Sequence, residues 1–424
     1  MNTNTLSAGV AGAGMIFDDT YWPFFAQARE KGCYTRSTGP YEVQLAALAT
    51  RTGSRAAAYA QQVPGLANCH GPEAVAQMLA LPLHAVCVAT PDDRHFDIAR
   101  AALAAGKHVL IEKPSVLTLQ QLDTLEALAR EKGVLARVVY HKLADPDHKK
   151  LRTHVADGVL RHVNCGYCSL LEPKSISGSQ FAEWITGRNP GTYVAVHYIK
   201  LIDFTFGDAW RLSRISCTGQ RGLVGPTTGT TWDSVQLRME YRYPDGREVA
   251  FDIHTSWVTP DNFPGYVDQE VQFRFDNGIW LAHQRKRGVE VAVEGLSPHE
   301  VKNTPNHHYN GKFLEPWGER SQRGYGIEVI GRFFEEVAHV EFGGPPSERP
   351  DRLQAIRRQR YADLSADRNT VATVQAMEAV LARHAAGQPG SVVEVDGPEG
   401  GLVLRLPGLS GGEVLYSEPV TRPP

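Results

Sequence analysis

The sequence predicts an α/β protein in two parts. A doubly wound parallel sheet stands at the N-terminus, followed by an α+β domain with a large, mostly antiparallel open sheet. Three observations carry this. The 424 residues, 42% of them hydrophobic, exceed what one ordinary core accommodates. The first third alternates short apolar runs with helix-like stretches, the order a parallel sheet with crossover helices requires. Beyond it, period-two alternation takes over, as in an antiparallel sheet with one covered face. The expected division is 1–140, a second domain 141–345, and 346–424 as C-terminal helices and a tail packing back on the body.

The strand-like runs of the first part are Leu6–Ala11, Val43–Ala49, Ala85–Ala89, Lys107–Ile111 and Val134–Tyr140. Helices are expected between them, through Ala28, over Ala56–Gln62, over Asp92–Ala105 and over Leu119–Lys132. The third has Asp at its start and Gly106 just past its end, the asymmetry that helix termini favour. A helix over Pro146–Asp157 opens the second part. Ser234–Tyr243 then alternates, with Val235, Leu237, Met239 and Tyr241 on one face. Glu248–His254, Gln269–Phe275 and Gly278–Ala282 continue the run across turns such as Pro244-Asp245-Gly246. Helices return over Gly326–His339 and Ala366–Ala385, and a short strand and tail close the chain.

Composition excludes several classes. A net charge of −3 gives no basic excess for nucleic acid. The polar start lacks a secretory pattern, and no run approaches the ~20 apolar residues a membrane helix needs. A cytoplasmic protein without a membrane partner is expected. Six cysteines in so long a chain make no disulfide framework. Cys165 and Cys168 form a CxxC, but inside a strand-like run and without a second pair, so ordinary reduced thiols are expected. His307 and His308 lie among Asn303, Asn306 and Asn310, with no carboxylate or thiol beside them, and no metal is expected there.

The chemistry begins at Gly12-Ala13-Gly14-Met15-Ile16-Phe17, between the first strand and the first helix. Gly12 permits a tight turn, and Gly14 lets the backbone approach a pyrophosphate at the helix N-terminus. Phe17 stands where a third Gly or Ala would be. The pattern is that of a Rossmann-like dinucleotide site. Where an acidic residue usually bonds the ribose 2′-hydroxyl, the second strand ends in Ala49-Thr50-Arg51-Thr52-Gly53-Ser54-Arg55. Thr50, Arg51 and Arg55 suit a 2′-phosphate, so NADP is expected over NAD, with NAD still possible; the alternative is a solvated turn carrying two arginines.

Thr90-Pro91 with His95, followed by Ala105-Gly106-Lys107-His108-Val109-Leu110-Ile111-Glu112-Lys113-Pro114, resembles the signature of the glucose–fructose oxidoreductase, inositol dehydrogenase and MocA family. Tyr140-His141-Lys142 with Asp145-Pro146, His283 to Gly288, and Gly324-Tyr325-Gly326 are similar to further segments of its members. The resemblance implies that Lys113 lies beside the nicotinamide and the substrate hydroxyl. It places His197 on the family's second motif, where Tyr193 replaces the first Asp and Lys200 the second. Spacings of four and three put Tyr193, His197 and Lys200 on one helix face, a plausible proton-handling set; a packed helix is the bland alternative. Lys200 either binds an acidic substrate group or points into solvent beside Asp203.

The resemblance therefore implies a dehydrogenase or reductase acting on a polyol, sugar or sugar acid. Lys113 would orient the oxygen, and His197 would move the proton with a contribution from Lys200. Glu112, Thr90, Pro91 and His95 join the cofactor side, and His141, Lys142, Trp184, Tyr193 and Tyr325 the substrate side. Two other readings share the scaffold: transient oxidation driving elimination or glycosidic cleavage, and a non-catalytic NADP-binding regulator. A homodimer or homotetramer is expected through the exposed face of the second sheet, with the Val235–Tyr241 stripe or its opposite face needing cover.

Overall fold

A computed structural model describes residues 4–175, 185, 188–207, 210–224, 231–263, 267–284, 306–396, 401–407 and 412–418. The chain forms two compact units, 1–144 with 307–368 and 145–306 with 369–424.

The first unit is a Rossmann-like sheet. Its strands are β1 (Asn4–Ala11), β2 (Cys33–Thr35), β3 (Gly39–Thr50), β4 (Ala67–His70), β5 (Ala85–Val88), β6 (His108–Glu112) and β7 (Ala136–Val139). Their order is β2-β3-β1-β5-β6-β7, with β4 beside β3. All pairs are parallel except β2 with β3. The chain leaves β1 for β3 on one side and continues to β5 on the other, so the sheet's topological switch point lies at the C-terminal end of β1. The expected runs fall on β1, β3, β5, β6 and β7. Residues 85–88 and 108–112 are buried throughout, the mark of strands covered on both faces. β2 and β4 are too short for their period to show in the sequence.

The unit also takes in residues 307–368, which differs from the expected division at 345. Packing explains it. The helix Tyr325–Phe342 has a broad apolar face that joins the core of the β1 sheet. Phe334 stacks on Phe24 with centroids 5.1 Å apart and meets Phe25 edge-on at 5.5 Å. Beside it the fully buried Arg137 donates to Glu336 at 2.8 Å and to Asp363 at 3.1 Å. It also donates to the carbonyls of Tyr361 and Ile356. Breaking one arm of such a buried pair costs about 3–5 kcal/mol.

The second unit is built on β8 (Val163–Pro173), β9 (Arg211–Arg221), β10 (Trp232–Arg242), β11 (Glu248–Thr259), β12 (Asp268–Phe275) and β13 (Gly278–His283), in the order β13-β12-β8-β11-β10-β9. Its pairs are antiparallel except β8 with β11. The strands Val392–Asp396, Val403–Leu406 and Glu413–Ser417 extend the sheet past β9, where a short strand and tail were expected. Cys165 is exposed and Cys168 buried, three residues apart on opposite faces of β8.

One expectation is overturned here. Val235, Leu237, Met239 and Tyr241 are at most 1% exposed and need no partner molecule. Trp210 stacks on Tyr241 at 4.8 Å, and the Thr373 hydroxyl reaches the Met239 sulfur at 3.9 Å. The opposite face of β10 carries Arg238 and Glu240, paired with each other and with Asp252 and Arg214. A stripe and its charged reverse are what a one-sided sheet requires, and the stripe is covered by its own unit.

Candidate functional site

The first part of the site grows from the switch point. Gly12 has φ 95°, and a Cβ there would sit 2.3 Å from the Ala89 carbonyl oxygen. Its N–H donates to Ala49 O at 2.9 Å. Gly12 thereby fastens the ends of β1, β3 and β5 together, and only glycine tolerates both the angle and the approach. At Gly14 a Cβ would meet nothing within 4 Å, so the backbone presents an open face. Met15 is 37% exposed beside it, and Ile16 is half-buried. Phe17, in place of the third small residue, is fully buried with its ring 5.0 Å from that of Tyr59. The turn it opens, Phe17–Tyr21, is π-helical, a wider coil of a kind that recurs at functional sites.

At the end of β3 the Thr50 hydroxyl accepts from Gly53 N at 3.1 Å, which folds the turn back and leaves Arg51 exposed. Arg55 is committed elsewhere: its guanidinium pairs with Asp18, which also accepts from the Tyr59 hydroxyl. At the end of β5 the buried Thr90 hydroxyl has no hydrogen-bond partner among the described residues, and Pro91 is exposed. His95 differs from its expected place against the cofactor. It is 1% exposed, and its ring nitrogens lie 2.7 Å from Pro114 O and 2.8 Å from Thr90 O. It ties the loop after β5 to the loop after β6.

Lys113 follows the last residue of β6 and is half-buried. The Glu112 side chain turns inward and is only 7% exposed. Tyr21 Oη donates to Glu112 Oε1 at 3.0 Å, and His141 Nε2 lies 3.7 Å from the same oxygen. Burial pushes the Glu112 carboxyl up, but His141, Lys113 and Tyr21 together outweigh it and hold the group below its ordinary value. His141 meets Tyr309 edge-on at 5.5 Å, and Tyr309 packs on the buried Tyr325 at 5.2 Å. Lys142 is also buried. Just past Lys113, Ser115 Oγ donates to Asp367, which also accepts from Tyr140 Oη at 2.7 Å. Sequence reasoning missed Tyr21, Tyr309 and Asp367. They come from distant segments and carry no local motif.

In the second unit, a π-helical turn Gly191–Ala195 leads into the helix Val196–Phe206. Asn189 Nδ2 and Thr192 Oγ1 both donate to Glu378, anchoring the turn. Tyr193 lies in the π segment, so ideal α spacing to His197 does not hold there, and its ring sits 6.1 Å from that of Trp257. Tyr193 and His197 are half-buried. Lys200 is 1% exposed, which overturns its solvent-pointing alternative. Asp203 accepts from Asn369 at 2.6 Å. Trp184 and the segment 285–288 lie outside the described residues.

The glycine turn, the switch point and Lys113 at a strand's C-terminal end thus share one parallel sheet. The model of the oxidoreductase family with NAD-binding Rossmann fold, Gfo/Idh/MocA, matches residues 6–140. The N-terminal part of the chain is therefore similar to this oxidoreductase family. Similar proteins include scyllo-inositol 2-dehydrogenase (NADP(+)) IolW of Bacillus subtilis (strain 168), 37% identical over 79 residues, 19% of this chain and 22% of that protein. The chain therefore spans about a fifth of that relative's length. D-glucoside 3-dehydrogenase of Escherichia coli (strain K12) is 29% identical over 255 residues, 57% of this chain and 68% of that one. The crystal structure of scyllo-inositol dehydrogenase from Lactobacillus casei with bound NAD(H) and scyllo-inositol aligns with a TM-score of 0.60 at 13% identity. It covers 92% of this chain and 99% of that one, which establishes the fold. Among the described residues, no helix is long and apolar enough to cross a membrane.

Proposed function

We propose that the protein transfers a hydride between a nicotinamide dinucleotide, NADP in preference to NAD, and a secondary hydroxyl or carbonyl of a sugar, cyclitol or sugar acid. The observation that carries this is the cradle at the switch point. An open Gly14 backbone, a Gly12 turn too close for a side chain and a buried Thr90 hydroxyl without a hydrogen-bond partner among the described residues stand at the ends of β1 and β5. Such a cradle fits a pyrophosphate. The names of these similar proteins support the substrate class.

When bound, the nicotinamide supplies or accepts the hydride. The chain does the rest. Gly12, Gly14, Met15 and Ile16 present backbone to the pyrophosphate. Thr50 and Arg51 take the 2′-phosphate side, with Arg55 held by Asp18 behind them. Lys113 orients and polarises the substrate oxygen, and His197 takes or gives its proton. Lys200, buried three residues on along the same helix, is assigned a share in that proton transfer. Self-association through the outer face of the second sheet belongs to the same reading. On that face Ile279 is 62% and Leu281 42% exposed.

A steady-state screen for NADP and NAD reduction across cyclitols, sugars and sugar acids tests the reading. Turnover on one class supports it. Tight dinucleotide binding with no turnover on any of them overturns it in favour of a non-catalytic sensor.

A further inference from the structure

Behind Lys113 lies a buried polar chain that the hydride-transfer scheme does not use. Glu112 and His141 are 7% and 6% exposed. A single carboxylate oxygen, Glu112 Oε1, faces both Tyr21 Oη at 3.0 Å and His141 Nε2 at 3.7 Å. The tyrosine is the donor, because an ionised carboxylate only accepts. Burial pushes the Glu112 carboxyl up, yet it is held below its ordinary value, and Lys113 and the Tyr21 hydroxyl favour its charged form independently of the imidazole. The 3.7 Å separation is too long for a hydrogen bond but short enough to settle the imidazole's orientation. A neutral ring carries one N–H, and in a poorly solvated place a carboxylate facing Nε2 favours the proton there over a lone pair. Nδ1 is then the acceptor. Neither ring nitrogen has a hydrogen-bond partner among the described residues, and a buried acceptor without one is the kind of atom a ligand donor satisfies.

We propose that Tyr21, Glu112 and His141 form a positioning chain that keeps the proton of neutral His141 on Nε2 and offers Nδ1 as acceptor to a hydroxyl of the substrate. Glu112 and Tyr21 are positioning residues, and they act through the ring. The inference about the substrate rests on the hydride-transfer reading, while the inference about the ring does not.

Nitrogen-15 spectra of the full-length protein, taken at alkaline pH, decide the tautomer. The His141 signals are assigned by their loss in His141→Gln. Wild type is expected to show the Nε2–H form, and Glu112→Gln a mixture. An Nδ1–H ring in wild type, or an unchanged ring in Glu112→Gln, overturns the chain. In kinetics on a substrate found by the screen, Glu112→Gln should raise KM for substrate about tenfold or more and change kcat less. His141→Gln, which keeps an acceptor, should recover part of the activity lost in His141→Leu. Equal losses in those two variants overturn the acceptor role. Should Lys113→Ala retain turnover, the catalytic reading fails, and the spectra still decide the ring.

Discussion

Gly12 lies so close to Ala89 that a single methyl on its α-carbon would sit 2.3 Å from the Ala89 carbonyl oxygen. Neither side can yield, because both belong to backbone at the ends of β1 and β5. Gly12→Ala should lower the melting temperature by several degrees and abolish measurable NADP binding, since its φ of 95° is also unfavourable for alanine. Gly14→Ala is the matched control. With open space around it, it should leave the melting temperature nearly unchanged and weaken only the cofactor. Calorimetry and thermal melts read both, and equal melting losses in the two variants would contradict this account.

Arg51 and Arg55 should separate in cofactor titrations. Arg51→Ala is expected to weaken NADP by roughly 1–3 kcal/mol, the worth of a charge-assisted hydrogen bond, and to spare NAD. Arg55→Ala loses the pairing with Asp18 and should affect both cofactors alike. Wild-type NAD affinity equal to or better than NADP would refute the preference.

Lys113→Ala should cost orders of magnitude in kcat while NADP affinity stays within about tenfold, because the cradle at Gly12 and Gly14 remains. His197→Ala should do likewise and flatten the pH–rate profile. Wild-type rates in both variants would place the chemistry elsewhere.

Glu341 makes the first unit's stability depend on pH. Burial raises its carboxyl, but the hydrogen bonds from His108 and Arg349 prevail and hold it at about 2, against an ordinary 4.5. His108 Nδ1 accepts from Leu135 N, so Nε2 carries the proton that reaches Glu341 at 2.8 Å. A folded value below the unfolded one adds stability that is fully present above about 4.5 and is lost as pH falls toward about 2. Urea melts should therefore show Glu341→Gln less stable than wild type at pH 7, with the gap closing across that window. A gap that does not vary with pH would count against it.

Replacing Ile279 and Leu281 together by lysine should shift the protein toward monomer in light scattering at micromolar concentration. The buried stripe of β10 is untouched by that change. A wild type that is already monomeric would end the proposal.

The sequence by itself determined the elements whose residues are close in the chain. Alternating apolar runs gave β1, β3, β5, β6 and β7. Gly12 and Gly14 marked the dinucleotide end, because a phosphate-binding turn needs particular residue types at fixed spacing, and the Glu112-Lys113-Pro114 run added to this through its resemblance to a known family. Period two gave the stripe from Val235 to Tyr241, but not what covers it. Tertiary structure alone decided the matters that depend on distant partners. Phe334 could have packed on either sheet; the stacking surface of Phe24 and Phe25 assigns its helix to the first unit. Arg55 has the charge for a phosphate, yet Asp18 sits within reach and holds it. His95 is joined to two backbone carbonyls, and Glu112 to Tyr21 and His141. Each pairing follows from burial, where a polar group takes whichever partner the fold brings close, and no local pattern records which partner that is.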